Sequence, residues 1–331
     1  DAVSGVQVST EKAWSIAAEM DAPRLVVLSR LDRERANLGR ALDSLRGVFG
    51  RTVIPVQIPI GEEKNFRGVV DLVAMKGWTF PADGSGKPSE TAVPDDLAAA
   101  SQSARDALIE MVAEADDALM EKFFESGTLT QEELVDGLKR GVAAGRIFPL
   151  VCTSAGANIG MQPLLDAILS YVPSPAERPF AATAKGSEDA VAVKASDSSP
   201  AAAFVWKTVA DPFAGRITMF RVISGTVKAD STIQNITRET PERLGHLTLL
   251  QGKTPTNVPE IRSGDLGAVA KLKDTLTSDL LGDKTIAFRV LPIKFAEPVI
   301  SYAIEPKTRG DEEKISTALH RLQEEDPSIS Y

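Results

Sequence analysis

The sequence predicts a mixed α/β architecture: a parallel sheet carrying an α/β insertion, then a small β-barrel, then the opening of an α+β unit. Three observations carry this expectation. Apolar runs of buried-strand type alternate with helix-period segments up to residue 171, β-branched runs separated by turns dominate from residue 201, and the charge balance changes between the two regions. The 331 residues include 37 basic and 46 acidic side chains. Residues 201–331 hold 17 of each, so the whole excess of nine acids lies in residues 1–200. That shift marks a boundary near residue 200. It makes the first part a poor non-specific binder of nucleic acid and leaves the neutral second part free to contact RNA.

Residues 10–20 follow a threonine able to cap and place Trp14, Ile16 and Ala17 at helical spacing, which predicts a helix. Leu25-Val26-Val27-Leu28 is apolar without alternation, the pattern of a parallel strand covered on both faces. Residues 36–45 return to helical spacing. Residues 52–58 and 68–75 read as strands on either side of the charged Gly61-Glu62-Glu63-Lys64, and the Gly- and Pro-rich stretch 81–94 reads as an exposed loop. Residues 97–124 are helical and acidic, and Thr130 with Glu133 forms a capping box for a helix reaching about residue 144. This block looks inserted between two parallel strands, because residues 146–152 resume buried-strand character. A helix over 161–171 follows and is closed by Val172-Pro173-Ser174-Pro175. Residues 183–200, rich in Ser, Ala and Asp, read as a linker. The runs 204–209, 217–223, 232–236, 266–272 and 286–291 suit a small barrel. Residues 299–304, a charged turn and a helix over 312–323 open the third unit.

Several chemistries are disfavoured. A hydrophobic share of 43% with 25% charged residues is globular, and no run of about eighteen apolar residues predicts a membrane span. The single cysteine, Cys152, sits in an apolar run and reads as a buried structural thiol in a reducing, cytoplasmic setting. His246 and His320 are far apart, so no metal-ligand spacing arises. A Gly-x-Ser-x-Gly nucleophile elbow is absent. Gly252-Lys253-Thr254 lacks the first glycine of a Walker A phosphate loop, that position being Leu247, and Gly86-Lys87-Pro88 lacks its hydroxyl residue. Asn235-Ile236-Thr237 has the form of a glycosylation site but reads as an ordinary strand segment.

Two strand ends carry the informative residues. Ser29-Arg30-Leu31-Asp32 follows the first buried strand, at the carboxyl edge where open α/β sheets bind ligands. A carboxylate there can accept two hydrogen bonds from the adjacent donors on a guanine edge, whereas adenine offers no such pair. Thr153-Ser154-Ala155-Gly156 follows a second buried strand, and its small residues let backbone N–H groups approach a base carbonyl oxygen. Each alone is an ordinary turn or cap; together they can converge on one base.

At these residues the chain resembles elongation factor G, the ribosomal translocase GTPase. Asp1-Ala2-Val3, Gly5-Val6, Thr10-Glu11 and Trp14 are similar to the segment leading to the family's guanine-specificity motif Asn-Lys-x-Asp, which here is Ser29, Arg30, Leu31 and Asp32. The resemblance extends through Phe66-Arg67-Gly68-Val69-Val70-Asp71-Leu72-Val73 and Leu119-Met120-Glu121-Lys122-Phe123, similar to the insertion peculiar to this family's G domain. Ala210-Asp211-Pro212-Phe213, Arg221-Val222-Ile223-Ser224-Gly225 and Ser263-Gly264-Asp265-Leu266 resemble the translation-factor barrel. Phe295-Ala296-Glu297-Pro298-Val299-Ile300 and Ile304-Glu305-Pro306-Lys307 resemble the opening of the third domain.

The resemblance implies an incomplete P-loop GTPase-type sheet over residues 1–182 with an inserted subdomain at about 48–145, a linker at 183–200, a barrel at 201–294 and the start of domain III at 295–331. It implies guanine-nucleotide contacts by Ser29, Arg30, Asp32, Ser154, Ala155 and Gly156: Asp32 reading the base, the Arg30 stem covering it, and Ser154 and Ala155 supplying the Ser-Ala loop. GTP or GDP would be the ligand, with Mg2+, the phosphate loop, the switches and the water-positioning histidine in segments outside this chain, which therefore reads as an internal portion. The ribosome, through rRNA and ribosomal proteins, would be the partner of a monomeric cytoplasmic factor without membrane contact.

Some positions depart from the family. Ser29 replaces an asparagine whose longer amide bridges neighbouring loops, a loss of hydrogen bonds worth about 0.5–1.5 kcal/mol each. Arg30 replaces lysine, and Lys271 and Ser278 stand where glycine is common, which suggests a divergent paralogue. The expected function is GTP hydrolysis coupled to translocation. The alternatives are a ribosome-binding module without GTPase activity and a paralogous GTPase of ribosome recycling or antibiotic protection.

Overall fold

The computed structural model describes residues 1–211, 215–252, 254–308 and 310–331, so that Pro212 and Phe213 of the barrel resemblance and Lys253 lie outside the described residues. The chain divides into two compact units, Asp1–Pro173 and Ser174–Tyr331. Mixed α/β structure with a parallel sheet occupies the first, and antiparallel β structure dominates the second.

In the first unit, α1 (Val8–Glu19), β1 (Val26–Leu28) and α2 (Leu38–Phe49) lead to β2 (Val53–Pro55). The chain then runs through β3 (Gln57–Ile60), β4 (Gly68–Asp71), β5 (Lys76–Thr79) and β6 (Ser89–Thr91) to helices α3 (Ala98–Glu114), α4 (Asp117–Ser126) and α5 (Gln131–Ala143). It returns along β7 (Phe148–Cys152) into α6 (Met161–Tyr171). Strands β1, β7 and β2 form a parallel sheet in that order, with Leu28 opposite Cys152 and Val53 opposite Phe148. Strands β3 to β6 form an antiparallel sheet in sequence order, so everything from β3 to α5 is spliced between two hydrogen-bonded parallel neighbours.

The run expected as one strand over 52–58 is therefore two strands in two sheets. The bend is held by backbone and side chain together. Val56 N donates to Leu150 O at 3.0 Å, Leu72 N donates to Val56 O at 3.0 Å, and the buried Gln57 side chain accepts from Cys152 N at 3.1 Å, replacing the ladder acceptor that the departing strand withdraws. One apolar core joins Ile54 and Val151 to Leu108, Leu134 and Leu138 of the helical block; another joins Leu28, Leu150 and Cys152 to Ala41 and Leu45 of α2. Each fully buried leucine contributes about 1.5–3 kcal/mol relative to exposure.

Local signals place several helices well. Thr130 and Glu133 form the expected capping box, and the Glu133 carboxyl is held down to about 2, first by the Lys122 ammonium and then by the Thr130 amide. Elsewhere the structure corrects the expectation. The first helix starts at Val8, with Gln7 rather than Thr10 at its cap and no side-chain capping bond; Thr10 lies inside the first turn. That helix buries no residue and is anchored by an aromatic stack: Trp14 lies 4.1 Å from the Phe49 ring and 4.6 Å from Phe148, with the Arg24 guanidinium over both Trp14 and Phe148. Strand β1 is not covered on both faces, since Val27 is 40% exposed. The 97–124 segment breaks at Asp116, whose carboxylate accepts from Ala118 N and Leu119 N and starts a new helix. The loop expected over 81–94 contains β6, an exposed edge strand with no apolar pattern to betray it.

The second unit holds β8 (Phe180–Ala184), β9 (Ala190–Val193), β10 (Ala202–Asp211), β11 (Gly215–Ser224), β12 (Thr226–Lys228), β13 (Thr232–Asn235) and β14 (Thr240–Arg243). It continues with β15 (Leu247–Gln251), β16 (Thr254–Val258), β17 (Glu260–Arg262), β18 (Leu266–Ala270), β19 (Leu280–Gly282), β20 (Phe288–Arg289) and α7 (Glu312–Glu325). Eight strands form one antiparallel sheet in the order β14-β13-β19-β10-β11-β18-β15-β16, β12 pairs with β17, and β20-β8-β9 make a third sheet. Residues 183–200 thus contain hairpin structure where the sequence reads as linker, because alternating Ala and Val in β9 find partners in β8. Residues 299–304 form no strand, since no neighbouring strand pairs with their backbone. Among the described residues no helix is long and apolar enough to cross a membrane.

The β-rich core of Val205, Phe220, Leu247, Val269 and Leu281 encloses polar locks. Asn235, wholly buried and so closed to glycosylation, donates to Asp279 Oδ2 at 2.9 Å, and Arg238 Nε donates to the same oxygen at 2.6 Å. Glu242, 2% exposed, accepts from Lys273 N, Asp274 N, Thr275 N and Thr275 Oγ1 at 2.8–3.0 Å. Burial alone would raise its pKa, but these donors together hold it below the ordinary 4.5. Lys271 and Ser278, the positions where the resembled family commonly has glycine, have φ of 66° and 77°. Their left-handed backbone explains the glycine preference and leaves this chain with strain at both.

Two stability outcomes follow. Because the folded pKa of Glu242 is depressed, its contribution is complete above pH 4.5 and drains as pH falls through the folded value. Glu242→Gln, which sets an amide among N–H donors, should cost about 1–3 kcal/mol at pH 7 and flatten the acid limb of a melting-temperature profile. Lys271→Gly, at a side chain that makes no hydrogen bond or ion pair among the described residues, should raise the melting temperature by relief of about 1 kcal/mol of left-handed strain.

Candidate functional site

The two strand-end loops meet because their strands are hydrogen-bonded neighbours in register. Beyond the Leu28 and Cys152 pair, Thr153 N donates to Leu28 O at 2.9 Å, Thr153 Oγ1 donates to the same oxygen at 3.3 Å, and Leu31 N donates to Thr153 O at 3.3 Å. Leu31, 3% exposed, pins the first loop into the core between Arg30 and Asp32. Ala2 N donates to Ser29 O at 2.9 Å, so the first residues of the chain run beside this loop.

The geometry joins the two predicted motifs at one contact. Ser154 Oγ donates to Asp32 Oδ1 at 2.6 Å, while Asp32 Oδ2 is 4.0 Å from Arg33 Nε. The buried hydroxyl fixes the carboxylate's orientation and leaves the second oxygen, on a side chain 29% exposed, turned toward solvent. The same Ser154 oxygen accepts from Ala157 N at 3.3 Å, and Ser154 exchanges both backbone bonds with Ile159 at 2.9 Å, closing a tight loop. The exposed Ala155 and Gly156 amides at its tip have no acceptor among the described residues. Such a loop offers N–H donors beside a fixed carboxylate, the complement of a planar group with one acceptor next to two donors.

Arg30 and Asp32 line an open cleft of about 690 Å³ with Asp1, Val3, Ser4, Arg33, Glu34 and Lys64. Arg30 has φ of 64° and its guanidinium bonds Asp1 Oδ2 at 3.0 Å, so its stem lies along the cleft. Ser29, Ala155 and Gly156 do not line that cleft, and the Ser29 hydroxyl makes no hydrogen bond among the described residues. The sequence reading missed two residues that touch these loops, Glu63 and Asn158. Asn158 was findable: an asparagine just before Ile159-Gly160 is turn chemistry, and its φ is 55°.

Other reactive groups are structural. The Cys152 thiol, fully buried, is pushed up to about 12 by desolvation, as expected of a packed thiol rather than a nucleophile. Among the described residues no group of three or more His, Cys, Asp or Glu side chains could hold a metal ion.

Residues 1–174 match the family model described as Elongation factor Tu GTP binding domain, residues 200–284 that of Elongation factor G domain 2, and residues 295–331 that of Elongation Factor G, domain III. A crystal structure of a protein from Thermus thermophilus is 30% identical with a TM-score of 0.84, the match covering 99% of this chain and 46% of that one. The chain thus spans about half the length of that relative.

The loop geometry depends on Gly160, which has φ of 79° and where a Cβ would lie 2.4 Å from the Cys152 carbonyl oxygen. Gly160→Ala should therefore destabilise the first unit by at least about 2 kcal/mol, read as a drop in its unfolding midpoint.

Proposed function

The chain belongs to the elongation factor G-like translational GTPases, and on that premise we propose that it supplies the base-reading part of a guanine-nucleotide site in a ribosome-associated factor that couples GTP hydrolysis to movement of tRNA and mRNA. The carrying observation is the 2.6 Å bond from Ser154 Oγ to Asp32 Oδ1. With one oxygen so oriented, the Asp32 carboxylate accepts from guanine N1–H and the 2-amino group, while the Ala155 and Gly156 amides donate to the C6 oxygen. The aliphatic stem of Arg30 covers the base. Ser29 adds little, its hydroxyl being too short to bridge loops as an amide would.

Phosphoryl transfer rests on positioning and on charge stabilisation at the phosphates, and no residue of this chain is assigned to the phosphates or to Mg2+. What these residues do is select the base. We read the first unit as the corresponding portion of a G domain with its inserted subdomain, the eight-stranded antiparallel sheet as the barrel of domain II, and residues 295–331 as the opening of domain III. Residues 201–331, which carry equal numbers of acidic and basic side chains, suit contact with ribosomal RNA without strong non-specific binding.

The test is nucleotide titration of the protein in its full natural length. GDP should bind and ADP should not compete. Asp32→Asn, which replaces an acceptor oxygen by an amide donor, should weaken GDP roughly 100-fold and favour xanthosine diphosphate, whose 2-carbonyl accepts from that amide. Equal affinity of the unmodified protein for GDP and ADP would overturn the reading.

A further inference from the structure

The spliced-in antiparallel sheet touches both base-reading loops. In the helical turn Glu63–Asn65 that joins β3 to β4, Glu63 Oε1 accepts from the Arg35 amide at 2.8 Å, and the preceding Glu62 accepts from Asn37 Nδ2 at 3.5 Å. Arg35 lies three residues beyond Asp32, so these bonds hold the far side of the Asp32 loop. The β5 to β6 connection reaches the other loop: Gly84 O accepts from Asn158 Nδ2 at 3.1 Å. The approach is close, because a Cβ on Gly86 would lie 2.2 Å from that nitrogen. Asn158 in turn closes the Ser154 loop, its amide donating to Ala155 O at 3.2 Å.

These contacts stand where a bridge is wanting. The Ser29 hydroxyl joins nothing among the described residues, so the amides of Ala155 and Gly156 and the carboxylate of Asp32 are held relative to one another by the Thr153 bonds at the strand ends, by the Ser154 hydroxyl and by the spliced-in sheet. We propose that this sheet sets the base selectivity of the site by clamping its two loops separately, with Asn158 as positioning residue for the Ser154 to Gly156 loop and Glu63 as positioning residue for the Asp32 loop. The proposal rests on the guanine reading above and assigns each clamp to a different edge group of the base. Asn158 governs recognition of the C6 oxygen; Glu63 governs recognition of N1–H and the 2-amino group.

The experiment measures, on the full natural length of the protein, affinities for GDP, for inosine diphosphate lacking the 2-amino group, for 6-thioguanosine diphosphate, which keeps N1–H and the 2-amino group but carries a weakly accepting sulfur in place of the C6 oxygen, and for ADP. Asn158→Gly keeps the left-handed backbone and removes the clamp. It should lower the preference for GDP over the 6-thio analogue about fivefold and leave the preference over inosine diphosphate unchanged. Gly86→Ala, which pushes on Asn158 from the other side, should do the same. Glu63→Gly, chosen because Glu63 has φ of 50°, should lower the preference over inosine diphosphate about fivefold, and Glu63→Gln, which retains an acceptor oxygen, should restore it. Variants that weaken all nucleotides equally, or leave both ratios at their original values, would overturn the clamp while the guanine reading stands. An unmodified protein that does not distinguish GDP from ADP would overturn that reading and the clamp with it.

Discussion

The carboxyl end of β7 is the constraint on which the first unit depends. Its residues pair with β1 on one side and β2 on the other, and its last amide, on Cys152, is taken by the Gln57 side chain as the neighbouring strand bends away. The next residue continues the ladder to Leu28, and the one after orients Asp32. Packing, splicing and the orientation of the Asp32 carboxylate are thus settled within three successive residues. A shift of β7 by one position would turn its side chains to the opposite face, separate Ser154 from Asp32 and leave the Gln57 amide buried without a partner.

The same logic explains where strain is kept. Arg30 adopts a left-handed backbone at the strand end, a conformation that costs about 1–2 kcal/mol in a non-glycine residue. It persists because Leu31 is buried beside it and Thr153 holds the Leu31 amide, so the loop has no cheaper path from sheet to cleft. The strain carries the arginine stem along the cleft. At Lys271 and Ser278 comparable strain attends no site described here, and it represents cost without evident return.

Legibility in the sequence tracked the range of the interactions involved. The helices beginning at Gln131 and Met161 were readable because their signals are local: a capping box in one case, and a helix-period pattern closed by prolines in the other. The candidate loops were readable because both follow short apolar runs, which announce strands whether or not both faces are covered. The break between β2 and β3 was not, since its cause lies in a hydrogen bond spanning 95 positions of sequence. Strand β6 was hidden by having no buried face, and Thr10 misled because a residue able to cap a helix also fits its first turn. Glu63 escaped notice for the same reason as the bend: it belongs to no motif and acquires meaning only from the backbone it meets, whereas the turn at Asn158 was legible and only its partner Gly84 was not.

The lone thiol has a practical corollary. Because Cys152 is sealed in the core with its thiol pushed up to about 12, the folded chain should react slowly with maleimides and other alkylating reagents. A cysteine placed on any exposed position would then be the single reactive handle on the chain. Fluorophores or spin labels could be attached one at a time to the spliced-in sheet, the strand-end loops or the β-rich unit without first stripping a native sulfur. The fold thereby comes ready for distance measurements between chosen points.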